Sequence, residues 1–183
     1  MELSSWELYK SRIPAQTLGD CRIVKFEYKN GPTGPAGTYT YLFHKDKFLM
    51  EDTMLTTMTN LKFINEAHGH VLLNGLGLGI TVFGLLKKPD VESITVVEYC
   101  QDVIDIIKPY ITDTRVKIIH DDAWTFKPTM IYDFVWHDIV SGVEDVNEQE
   151  MDALEKRYTP YCRKQATFYR ELDGIKGNLL LVC

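Results

Sequence analysis

Apolar and polar positions change their rhythm near residue 52. Before that point, residues 21–28 (CRIVKFEY) and 38–43 (TYTYLF) alternate in part and are rich in β-branched and aromatic side chains, the pattern of half-buried strands. The intervening NGPTGPAG forbids regular structure and marks a loop or hairpin tip. A short run over 47–50 completes a small antiparallel meander. From residue 53 the spacing turns helical. Met54, Leu55, Met58, Leu61, Phe63 and Ile64 predict a core-facing helix with Asp52 or Thr53 as N-cap, Gly69 as its C-terminal stop, and methionines filling core space.

The next stretch repeats one theme. Apolar runs at 71–74, 94–97, 116–119 and 132–136 alternate with helical patterns at 80–88 and 103–110. Continuous apolar strands between amphipathic helices predict a Rossmann-like α/β fold, a parallel sheet with helices on both faces. Residues 146–169 read as helical with a break at Pro160, and 177–183 (GNLLLVC) as a fifth strand. The expected organisation is therefore a β-rich element over 1–52 and a ligand-binding α/β domain over 53–183. The C-terminal β-hairpin is expected to be missing, so the exposed sheet edge leaves cover by the N-terminal strands or by self-association open.

The 183 residues suffice for one core, and 45% hydrophobic with 25% charged residues exclude disorder and fibrous repeats. A net charge of −6 argues against a nucleic-acid-binding face. Four scattered cysteines without a CxxC pair suggest neither zinc nor a disulfide framework. His68 and His70 lack a third ligand, so no metal is expected. The N-terminus carries charges and no apolar signal core, and no apolar run approaches the roughly 18–20 residues of a membrane helix. The expectation is a cytoplasmic protein without membrane contact.

Ligands of open parallel sheets bind beyond the carboxyl ends of the strands. The four strand ends here carry Gly75-Leu76-Gly77-Leu78-Gly79, Glu98, Asp121-Asp122 and His137-Asp138. Alternate glycines allow a sharp turn and close backbone approach. The loop is neither the G-x-G-x-x-G dinucleotide fingerprint nor a P-loop. Glu98 can accept two hydrogen bonds from a ribose diol, and Asp122 one from an exocyclic amine such as adenine N6. A ligand with a carboxylate, a ribose and an adenine fits this row: S-adenosylmethionine.

The runs VLLNGLGLG (71–79), ITVVEYCQDVI (94–104), VKIIHDDAWTF (116–126) and YDFVWHDI (132–139) resemble the class I S-adenosylmethionine-dependent methyltransferases, most closely their spermidine-synthase-like branch. The resemblance covers about residues 50–140. It implies Gly75, Gly77 and Gly79 at the cofactor's methionine portion, Glu98 at the ribose hydroxyls, and Asp122 with Ala123 at the adenine. The N-terminal meander is similar to that of aminopropyltransferases, and MEDTMLTTMTN (50–60) resembles the segment that family places near its substrate. This implies Glu51 or Asp52 at a substrate amine or the cofactor's amino group; Asp52 as a mere helix cap is the alternative. Leu73 and Leu78 stand where members of the family carry acidic residues, a departure from the polyamine-synthesis pattern.

Asp138 stands where this fold commonly places a group beside the transferred methyl, and its carboxylate could orient an amine or take its proton. His137 is the other candidate base. Strand alternation lets only one of the two face the pocket, and Asp138 is favoured. Trp124 is a candidate to stack on adenine. The expected function is methyl transfer to a small molecule or peptide amine. Aminopropyl transfer or cofactor cleavage is the second reading, and a non-catalytic binding protein with the same fold the third.

Overall fold

The computed structural model describes residues 9–139, 148–168 and 181–182. Its N-terminal part is an antiparallel sheet of β1 (Gln16–Leu18), β2 (Cys21–Tyr28), β3 (Gly37–His44) and β4 (Lys47–Glu51), paired in sequence order. Lys45 and Asp46, at φ 48° and 61°, make the tight turn between β3 and β4, the left-handed geometry that matches strand twist.

Helix α1 (Met54–Glu66) follows. Its cap is Thr53, whose side chain accepts from the Thr56 amide, rather than Asp52. The buried face also departs from the apolar pattern. Thr56, Thr57, Thr59 and Asn60 are buried beside Leu61, Phe63 and Ile64, while Met58 is exposed. Asn60 can go inside because its amide donates to the Thr56 carbonyl (2.8 Å) and its oxygen accepts from Thr81 (2.7 Å). The helix ends at Ala67; Gly69 opens the next strand instead of stopping the helix.

The main sheet contains β5 (Gly69–Asn74), β6 (Val91–Glu98), β7 (Val116–His120), β8 (Tyr132–His137), β9 (Cys162–Thr167) and β10 (Leu181–Val182), in the order β10-β9-β8-β5-β6-β7. The five strands from β9 to β7 run parallel, and β10 lies antiparallel on β9. Helices α1, α2 (Ile80–Leu85) and α3 (Gln101–Ile107) pack on one face and α4 (Glu148–Tyr158) on the other. Alternation along β5 explains the two layers. Val71 and Leu73 enter the first core, and Leu72 enters the second. Ile13, Cys21, Ile23 and Leu42 join the first core, so the N-terminal sheet and the α/β layers share one apolar interior.

The C-terminal third corrects the sequence reading. Of the stretch expected to be helical, Glu148–Tyr158 forms an α-helix; Val146 and Tyr169 lie outside the described residues. A short 3-10 turn with Pro160 follows, and then the fifth parallel strand, Cys162–Thr167. That strand buries Gln165 and Thr167, so its sequence CRKQAT hides no apolar run. Of 177–183, only Leu181–Val182 is described, and it supplies an antiparallel edge rather than the fifth strand. No hairpin follows β9 among the described residues. Cys162 is disulfide-bonded, where the cysteine spacing suggested no disulfide framework; Cys21 and Cys100 are free.

Candidate functional site

Register levels the carboxyl ends of the strands. Asn74 pairs with Val97 on one side and His137 on the other, and Glu98 pairs with His120. The chain beyond these ends surrounds a cavity of about 330 Å³, within the range of small-ligand pockets. Gly75, Gly77, Glu98, Asp122, Ala123, Trp124 and Asp138 line it, joined by Leu49 and Met50 from β4.

Two glycines make the close approach possible. Gly75 (φ 101°) lies so near β8 that a Cβ would run into the Asp138 carbonyl, and one on Gly77 (φ 48°) would run into the Met50 sulfur. Gly79 plays another part. It caps α2 at φ 74°, and its neighbour is the Phe83 ring, not the cavity.

Glu98 is fixed by the backbone. Oε2 accepts from Leu76 N–H and Oε1 from Cys100 N–H, both at 2.8 Å. Burial pushes its carboxyl above the usual range, against the pull of those amides. The Tyr99 amide also favours the charged form, and the carboxylate, with about four acceptor sites, keeps acceptor capacity beyond these amides. Asp122 Oδ1 accepts from the Trp124 amide at 2.9 Å, which folds the turn after β7 over the cavity. Tyr158 holds this turn from behind through a 2.7 Å bond to the Ala123 carbonyl.

Asp138 and His137 part company. Asp138 faces the cavity, and burial, reinforced by the charge of Glu98, pushes its carboxyl up to about 7. The buried indole N–H of Trp136 favours the charged form yet closes no hydrogen bond. His137 points to the opposite face of the sheet. Its Nδ1 meets Asn74 Nδ2 at 2.9 Å, its Nε2 meets Gln165 Oε1 at 3.2 Å, and its ring stands edge-on to Tyr158. The Gln165 amide donates to the Glu155 carbonyl and Thr159, so Oε1 accepts from Nε2–H and Nδ1 accepts from Asn74. Burial lowers the imidazole to about 4. His137 is therefore a neutral structural group outside the cavity, in contrast to its place as a candidate base.

Glu51 and Asp52 also stand apart from the cavity lining. Asp52 is buried and accepts from the Ser11 amide (2.8 Å) and the Thr40 amide (2.6 Å), fastening the N-terminal sheet. Glu51 accepts from Thr53 and Thr56 hydroxyls, and burial raises its carboxyl. Sequence reasoning missed Leu49 and Met50. Their one signal was that the segment singled out for the substrate begins at Met50, in β4.

No family model matches the sequence, and no curated protein matches it. Solved structures do. The spermidine synthase of Thermotoga maritima is 16% identical, covering 87% of this chain and 61% of that chain, with a TM-score of 0.53. The N-terminal domain of EvdMO1 with SAH bound is 17% identical over 62% of this chain and 48% of its own, with a TM-score of 0.48. The plantazolicin methyltransferase BpumL in complex with SAH is 16% identical over 62% and 43%, with a TM-score of 0.44. This chain thus spans less than two thirds of each of them. The chain shares the Rossmann-like α/β fold of that spermidine synthase. Among the described residues, no helix is long and apolar enough to cross a membrane.

Proposed function

We propose that the protein is an S-adenosylmethionine-dependent methyltransferase acting on an amine of a small molecule or peptide. The observation that carries this reading is the convergence of Glu98, Asp122 and Asp138 with the glycine turn on one cavity whose lining, among the described residues, includes no basic side chain. Anionic acceptors are disfavoured there by the carboxylates, and cations are favoured. The residues present fit the cofactor. Gly75 and Gly77 line the cavity with bare backbone, Glu98 is held in place by backbone amides with acceptor capacity toward a ribose diol, and Asp122 stands in the next strand-end turn.

When bound, the cofactor supplies an electrophilic methyl group on a sulfonium. Asp138 orients the acceptor amine and, in its ionised form, takes the proton that the nitrogen loses as it is methylated. Leu49, Met50 and Ile139 shield this end from water, and most of the acceleration comes from alignment and desolvation.

A second reading, aminopropyl transfer, is favoured by the participation of β4 in the cavity wall. Mass spectrometry of S-adenosylmethionine incubated with the protein and a panel of amines separates the two. Methyl transfer yields S-adenosylhomocysteine together with an acceptor heavier by one methylene. Methylthioadenosine as the nucleoside product contradicts simple methylation. The variant Glu98→Ala is expected to weaken S-adenosylhomocysteine binding by about a hundredfold or more, for the loss of two charge-assisted hydrogen bonds.

A further inference from the structure

The amides of Gly75, Leu76, Leu78 and Gly79 in the glycine turn each have a partner. Gly75 N–H donates to the Val97 carbonyl, Leu76 N–H to Glu98, and Gly79 N–H back to the Leu76 carbonyl. Leu78 N–H has a partner of another kind. It donates to the sulfur of Met50 at 3.3 Å, across the boundary between the N-terminal sheet and the α/β layers. The same sulfur rests against Gly77, in the space a side chain there would need, and Met50 lines the cavity that holds Glu98 and Asp138. A thioether is a weak acceptor on a side chain with three soft torsions. A carboxylate is a far better partner for the same amide.

We propose that Met50 is a displaceable stopper at the glycine-turn end of the cavity, holding the Leu78 amide until the carboxylate of an amino-acid-bearing ligand takes its place. The inference rests on the reading of this cavity as the S-adenosylmethionine site and assigns Met50 a role in setting affinity. Met50 competes with the methionyl part of the ligand and leaves the nucleoside part alone. Because Met50 belongs to β4, occupancy of the turn is communicated to the N-terminal sheet.

Calorimetric titration of the full chain with S-adenosylhomocysteine and with 5′-methylthioadenosine, which lacks the amino-acid end, tests this directly. Met50→Ala is expected to tighten S-adenosylhomocysteine by about threefold to tenfold, the worth of one neutral hydrogen bond, and to leave 5′-methylthioadenosine unchanged. Met50→Leu, which keeps bulk without the acceptor, should fall between. Weaker or unaltered S-adenosylhomocysteine binding in Met50→Ala, or equal tightening of both ligands, overturns the proposal. Failure of wild type to bind either ligand at millimolar concentration overturns the reading of the site, and the stopper with it. A second measurement needs no loss of packing. With the six methionines labelled at their methyl carbons, the resonance absent from Met50→Leu should shift in wild type with S-adenosylhomocysteine and stay in place with 5′-methylthioadenosine. No shift with either ligand, at concentrations where both bind, overturns the proposal.

Discussion

Two groups of polar side chains flank the carboxyl ends of β5 and β8, and they are treated in opposite ways. Behind the sheet, Asn74, His137 and Gln165 form a buried chain that ends on the exposed Thr159; both nitrogens of the imidazole are engaged, while Asn74 Oδ1 closes no hydrogen bond. In front of it, Asp138 is pressed toward neutrality by burial and by Glu98, with an indole N–H near it that makes no bond. A polar group kept for the fold has its partners built in. A carboxylate desolvated with little more than an indole N–H beside it is a cost to the fold, and such costs concentrate where a ligand is handled. Two adjacent residues thus face opposite sides of the sheet, His137 into the hydrogen-bonded layer and Asp138 into the cavity.

Breaking the rear chain should have the largest effect. His137→Leu leaves Asn74 Nδ2 and Gln165 Oε1 buried without partners and is expected to destabilise the protein by about 2–4 kcal/mol in urea unfolding. In wild type the same histidine gives an acid limb. Its folded value of about 4 lies below the unfolded 6.5, so the unfolded chain takes up the proton first. Stability from this group is intact above 6.5 and declines as pH falls toward 4.

The front carboxylate should behave in the reverse sense. Asp138 at about 7 when folded and 3.8 when unfolded costs nothing below pH 3.8, and its penalty grows as pH rises toward 7. Asp138→Asn is therefore expected to stabilise the protein at pH 8, by on the order of 2 kcal/mol, and to have little effect at pH 4. Thermal unfolding at the two pH values reads this out, and a destabilised variant at pH 8 would place Asp138 with the structural groups. The smallest effect joins the two regions. Tyr158→Phe removes the bond to the Ala123 carbonyl and should cost about 1 kcal/mol in urea unfolding.

The legible parts of the sequence were those where local pattern and local chemistry coincide. The apolar runs of β5, β6 and β8, the alternate glycines, and the acidic residues following the strands are read from spacing alone, and register makes them neighbours. The strand β9 was illegible because Gln165 and Thr167 are buried through hydrogen bonds that no periodicity encodes. The threonine-rich face of α1 was hidden for the same reason, Asn60 being satisfied by Thr56 and Thr81. Asp52 carries the charge expected of a substrate contact, yet two backbone amides of the N-terminal sheet claim it. Long-range partnership, not residue type, decided each of these.

The central claim is that the front rim is a nucleoside site for a sulfonium cofactor. Titration of the unaltered protein with S-adenosylmethionine at pH 8, where Asp138 is ionised, tests it most directly. The account predicts saturable one-to-one binding below millimolar concentration that weakens as pH falls through 7. Heat-silent mixing, confirmed by an absence of ligand-induced thermal stabilisation at millimolar concentration, would contradict it.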